Sequence, residues 1–211
     1  MSIRAKLYAA IVMTVLGPLV TIGVALQAFG ALADRFDDVS ASAADQAIAL
    51  ELKFAVTDMN GWQTAYGYDG GRSRARFEQS VRDVRQQLDR AASRFGEPPE
   101  RGFVTRIQTS LRGFLGLDVV AYRALRAGRP ERTKRIFLGP EIEHFEAMAG
   151  AADDLADLQA RRVAGARAAF ADERRSARRK LVAVGLGAGV LILLLLITAQ
   201  DVARAALERR R

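Results

Sequence analysis

LVAVGLGAGVLILLLLITA, Leu181–Ala199, holds no charged side chain, and LYAAIVMTVLGPLVTIGVALQAF, Leu7–Phe29, is broken only by small or weakly polar residues. Each has about the twenty residues a helix needs to cross a hydrocarbon core of about 30 Å. Between them, Ala31–Lys180 carries nearly all the charge of the chain. A stretch of that length is a domain rather than a turn. The pattern predicts a membrane protein with a polar domain held at both ends.

Composition agrees once it is divided the same way. The chain is 50% hydrophobic with a net charge of +8. Assigning the apolar excess to the two spans leaves an Ala- and Arg-rich middle with few β-branched runs, the profile of helices. That middle has 26 basic against 22 acidic side chains, a balance that does not call for nucleic acid. There is no cysteine, so neither a disulfide nor a thiolate metal site is available.

Arg4 and Lys6 ahead of the first run, with Ala31-Leu32-Ala33 after it, have the form of a cleavable signal peptide. The run is well beyond the 7–15 residues usual for such an apolar region, which favours an uncleaved anchor. Gly17-Pro18 should kink or loosen that helix. Arg4 and Lys6 before the first span, and Arg204, Arg209, Arg210 and Arg211 after the second, argue for both termini in the cytoplasm. Arg174, Arg175, Arg178, Arg179 and Lys180 pull the other way, but long domains translocate largely regardless of charge. The expected layout is therefore a cytoplasmic N-terminus (1–6), a first span (7–29), an extracytoplasmic domain (30–180), a second span (181–199) and a short cytoplasmic tail (200–211). A cytoplasmic (inner) membrane of a bacterial cell is the expected location.

Helical spacing fills the middle. Ile48, Leu52, Ala55, Met59, Trp62 and Tyr66 step by four and three, as do Phe77, Val81, Val84, Leu88, Ala91 and Phe95. Val104, Ile107, Leu111, Phe114, Asp118, Ala121 and Leu125 give a third seam. No stretch alternates with period two. A sustained 3.5-residue period is the seam of a coiled coil or an up-down bundle. Gly67 with Asp69-Gly70-Gly71, Gly96-Glu97-Pro98-Pro99 and Gly128-Arg129-Pro130 separate the segments. Gly139-Pro140 is expected to start a last long helix burying Ile142, Phe145, Ala149, Ala152, Ala156, Val163, Ala166 and Phe170. The first and last helices, about 50 and 60 Å long, would run unbroken into the spans. The fold class expected is all-α, a membrane-anchored up-down four-helix bundle flanked by two transmembrane helices.

Catalysis has little to stand on. The one histidine, His144, is expected on a charged, solvated face beside Glu141, Glu143 and Glu146 rather than in a metal site, and no nucleophile has an evident base. Neither an enzyme nor a cofactor is expected. In the second span Gly185 and Gly189 form a small-xxx-small pair suited to close helix packing, although glycine is also simply common in membrane helices. Trp62, Gln63 and Tyr66 lie together near the end of the first helix, and Arg72, Arg74 and Arg76 follow. Rings and guanidinium groups there could grip a small anion, or the rings could be core and the arginines solvated. Asp118 lies on an apolar seam and should pair with an arginine, bond across the bundle or border water. Trp62, Gln63, Tyr66, Arg72, Arg76 and Asp118 are the candidate responsive residues.

These segments carry a resemblance. Asp58-Met59-Asn60-Gly61-Trp62-Gln63-Thr64-Ala65-Tyr66, Phe114-Leu115-Gly116-Leu117-Asp118, Leu125-Arg126-Ala127-Gly128 and Phe137-Leu138-Gly139-Pro140-Glu141-Ile142 resemble the sensory half of bacterial methyl-accepting chemotaxis receptors with a four-helix-bundle ligand domain. Similar input regions precede histidine kinases and diguanylate cyclases. The resemblance covers residues 1 to about 200 and implies a homodimeric sensor of an unidentified small ligand or extracytoplasmic protein, read by a cytoplasmic output protein. In that family a linker and an output module follow the second span. Gln200–Arg211 has no room for them, so either a sensor without its own output or the input part of something longer is expected. The rival expectation is a membrane-anchored helical scaffold or assembly protein without a small ligand.

Overall fold

The computed structural model describes residues 3–208. Arg209, Arg210 and Arg211 lie outside the described residues, as do the side chains of Arg4 and Lys6, so of the charges that set the expected orientation only Arg204 is described, exposed on a helix. Among the described residues the chain is all-α, without a strand. Helix α1 spans Ile3–Tyr68, α2 Arg74–Arg94, α3 Glu100–Arg126, α4 Pro130–Ile136 and α5 Ile142–Glu208. Between α4 and α5, Phe137–Glu141 forms a kinked π-helical turn, with Gly139 at φ −113° and ψ −111°.

The chain folds as two compact units, one of Ser40–Gly165 and one of Met1–Val39 with Ala166–Arg211. In the first, α1, α2, α3 and α5 bury one apolar cluster. Leu52, Val56, Met59 and Tyr66 of α1 meet Phe77, Val84 and Leu88 of α2, Ile107 and Phe114 of α3, and Met148 and Leu155 of α5. Burying a side chain of that size contributes about 1.5–3 kcal/mol, so this cluster is the main source of stability for Ser40–Gly165. The outer ion pairs Arg90–Glu51 (2.6 Å) and Lys53–Asp153 (2.9 Å) are half-exposed, so solvent screens them and they add little to stability.

The segment boundaries have identifiable causes. Gly70 and Gly71 leave α1 at φ +72° and +98°, the left-handed region that a β-carbon disfavours. Asp69 holds the turn: its carboxylate accepts from Ser73 Oγ (2.6 Å) and the Gly71 N–H (3.0 Å). Those bonds, the Ser73 one first, hold its carboxyl below the ordinary aspartate range.

Three expectations about the segments need correction. Gly67 does not end α1. It lies inside the helix, where an added β-carbon would sit 2.6 Å from Phe137 Cε2, so its smallness serves a close approach. The last helix does not begin cleanly at Gly139-Pro140. Helix α4 intervenes, because Pro130 at its first turn restarts the helix directly after Gly128 (φ +68°). The buried face of α5 is also rotated. Met148, Ala151, Ala152, Leu155, Ala156, Gln159 and Val163 are buried, whereas Ile142, Phe145, Ala149, Ala166 and Phe170 are only half-buried.

In the second unit the chain has two helical stretches long and apolar enough to cross a membrane, and almost none of either is covered by the protein itself. Leu26 and Leu186 are each about two-thirds exposed, consistent with a lipid environment around rows of this kind. Helix α1 continues through Pro18, and Thr21 Oγ1 donates to the Gly17 carbonyl at 2.9 Å. The β-carbon position of Gly17 lies 3.3 Å from Leu191 Cδ2, and Phe36 meets Phe170 edge-on at 6.5 Å. Within the chain the β-carbon positions of Gly185 and Gly189 meet no atom within 4 Å.

Candidate functional site: a buried polar cluster beside a pocket

Polar side chains from α1, α2, α3 and the kinked turn come together at one end of the Ser40–Gly165 core. Asp118, on the seam of α3, is 1% exposed. It accepts from Tyr66 Oη of α1, which is fully buried. Its other oxygen accepts from Arg74 Nη1 of α2 at 2.7 Å. Arg74 also donates through Nε to Glu78 at 3.0 Å. Its guanidinium lies 4.5 Å from the Tyr122 ring centre, 4.8 Å from that of Phe77 and 5.1 Å from that of Tyr66. Three aromatic faces thus cover a cation that is already bonded to a carboxylate, an arrangement that suits arginine's weakly hydrated plane far better than lysine's point charge. Burial, followed by the Asp118 charge, pushes the Tyr66 hydroxyl far above the ordinary tyrosine range, so it serves only as a donor.

Behind this cluster stands Glu141, at the end of the kinked turn. It is 1% exposed. One oxygen accepts from Gln63 Nε2 of α1, while Oε2 is buried without a partner. Burial pushes its carboxyl up to about 8, with a further rise from Asp118, opposed by the Gln63 bond and Arg74. At neutral pH Glu141 therefore holds a proton for much of the time. Expecting Glu141 and His144 on one solvated face was wrong. The kink turns Glu141 inward, and the His144 ring packs on Gly113, where an added β-carbon would come within 2.5 Å of it. Among the described residues no group of side chains could hold a metal ion.

The six candidate residues separate accordingly. Tyr66 and Asp118 bond directly, and Gln63 lies one turn before Tyr66, bonded to Glu141. Trp62 is half-buried under the guanidinium of Arg76, 4.7 Å from the ring centre. Arg72 is exposed and donates to the Asp69 carbonyl at 3.0 Å. The arginine that enters the cluster is Arg74, flanked in sequence by the two that were singled out. Its signal was available: it is one turn before Phe77 and so shares the buried face of α2, which Arg72 and Arg76 do not. Glu141 gave no such signal, since its burial depends on the kink.

Next to Gln63 the surface opens into a pocket of about 300 Å³ between α1, the end of α3, α4 and the kinked turn. Asn60, Gln63, Thr64, Thr133 and Lys134 supply its polar wall, and Leu125, Phe137, Leu138 and Ile142 its apolar one. A second buried polar pair, Glu100 with Gln159 (3.4 Å), is bridged by the half-exposed Arg162 and ties the start of α3 to α5.

No protein-family model, curated protein or solved structure matches this chain.

Proposed function

We propose that the chain is the input part of a transmembrane sensor: an extracytoplasmic up-down four-helix bundle, held by two membrane spans in the cytoplasmic membrane and paired with a second copy. The observation that carries this is the buried Tyr66–Asp118–Arg74 cluster with Glu141 and Gln63 beside an open pocket. A scaffold needs a packed core and gains nothing from a carboxyl oxygen buried without a partner, which costs about 1–3 kcal/mol. A responsive site tolerates that cost, because the unmet group defines a second state that a ligand can favour. Helices α1 and α5 each belong to both compact units and contain the two apolar stretches. Differential binding at the pocket would bias these two helices, and a cytoplasmic partner would read the bias. The relation is to the input regions of chemotaxis-type receptors, on the strength of the segments around Trp62 and Asp118.

Thermal unfolding of the full chain in detergent micelles, followed by the single Trp62, tests this against a panel of organic cations, organic acids, amino acids and nucleobases. A saturating ligand at a hundred times its dissociation constant stabilises by about 2.7 kcal/mol, a shift of several degrees. A dose-dependent shift weakened by Gln63→Leu supports the sensor. A folded protein that no compound moves would leave the scaffold.

A further inference from the structure

The polar wall of the pocket beside Gln63 offers a run of free acceptors next to the donors of Asn60, Tyr68 and Lys134. Thr64 Oγ1 donates its proton to the Asn60 carbonyl at 3.0 Å, and Thr133 Oγ1 donates to the Ala121 carbonyl at 3.1 Å. A hydroxyl has one proton, so both threonines have only lone pairs left to offer. Gln63 commits an N–H to Glu141, and its Oε1 accepts no hydrogen bond and is not among the sealed buried atoms. Beyond Gln63 lies the unpartnered Glu141 Oε2. The charged side chains at the rim, Glu131 and Lys134, are both exposed and offset each other. Phe137, Leu138 and Ile142 form an apolar floor.

We propose that this pocket binds a small organic cation, an ammonium or amidinium on an apolar body, whose N–H groups meet Gln63 Oε1, Thr64 and Thr133 and whose charge lies next to the unpartnered Glu141 carboxyl. The site rests on the sensor proposed above and names the chemistry of its ligand. An anion would meet lone pairs at Gln63 Oε1, Thr64 and Thr133 and would oppose the buried carboxyl of Glu141, although Asn60 and Lys134 could donate to it. A neutral amide would satisfy some acceptors but would not compensate Glu141.

The linkage has a definite sign. Glu141 is faced by Gln63 and Tyr66 from α1, Arg74 from α2 and Asp118 from α3, and its carboxyl stands at about 8. A cation next to Gln63 favours the ionised form, so its affinity rises as pH rises through that value and binding expels a proton. Asp118 is already compensated by Arg74, which leaves Glu141 as the charge that the ligand senses.

The test uses the full chain in detergent micelles with benzamidinium, which stays charged across the range, and with benzamide and benzoate, which share its body. Calorimetric titration at pH 6 and pH 9 should show saturable binding of benzamidinium alone, about tenfold tighter at pH 9, one unit of linked proton shift corresponding to a factor of ten. Glu141→Gln should bind with no pH dependence. Thr64→Val, at an exposed position that does not threaten folding, should weaken binding several-fold, and Lys134→Gln should strengthen it. Absence of saturable benzamidinium binding overturns the proposal. So does equal or tighter binding of benzamide or benzoate, or a pH dependence that survives Glu141→Gln. If an acid or nucleobase of the panel stabilises the protein while benzamidinium does not, the cation fails and the sensor stands. If neither the panel nor benzamidinium has any effect, both fail.

Discussion

At the scale of single residues, the Asp118–Arg74 pair is the costliest interaction to break. Asp118→Asn removes the charge that compensates Arg74 while leaving the volume unchanged. Breaking a fully buried pair costs about 3–5 kcal/mol, and about 2–4 kcal/mol is expected here because Arg74 keeps Glu78 and some solvent. Urea unfolding in micelles reads this directly, and Tyr66→Phe should cost about 1–2 kcal/mol on the same scale. Glu141 gives a second prediction. Its folded carboxyl stands at about 8 against an ordinary 4.5. The folded state therefore holds the proton more tightly, so this group's contribution is fully present below the ordinary value and is lost as pH rises to about 8. Relative to Glu141→Gln, the native protein should lose on the order of a few kcal/mol between those limits. A melting-temperature profile with the same slope for both proteins would disprove it. That Asp118 needs a partner was legible in the sequence, because a carboxylate among Leu111, Phe114 and Ala121 cannot remain unpaired, and an arginine was one of the three partners it allowed. Of Arg72, Arg74 and Arg76, Arg74 could have been read as that partner, since it alone lies one turn before Phe77 on the buried face of α2.

At the scale of elements, the seams of α2 and α3 were readable because one uninterrupted period fixes their buried faces. Helix α5 was not. Its Ala-rich composition allows two overlapping faces, and the choice falls to Met148 and Leu155, the larger side chains. The kinked turn was likewise hidden, since Gly139-Pro140 reads equally as a helix start. Its contact with α1 is tight. Gly67→Ala would press a methyl group on the Phe137 ring and should cost about 1–3 kcal/mol. Gly67→Ala with Phe137→Leu should recover part of that. Thermal melts that show no loss in the single variant would mean that Phe137 swings away freely.

For the whole molecule, the two apolar stretches were the plainest text in the sequence, because a bilayer sets a length and a charge limit that few other structures meet. The two compact units divide the chain between Val39 and Ser40 and between Gly165 and Ala166, inside the 30–180 stretch expected for the polar domain. Pairing of two copies should appear as a twofold mass in micelles by light scattering, with the monomer mass arguing against it. The central claim, a helical sensory unit held outside the cytoplasm by two spans, is tested most directly by labelling. The chain has no cysteine, so Ser93→Cys and Arg204→Cys, both at exposed positions, each report one site. In intact cells a membrane-impermeant maleimide should label the variant at position 93, and the variant at 204 only after permeabilisation. Labelling in the reverse order, or of both positions alike in intact cells, would contradict the account.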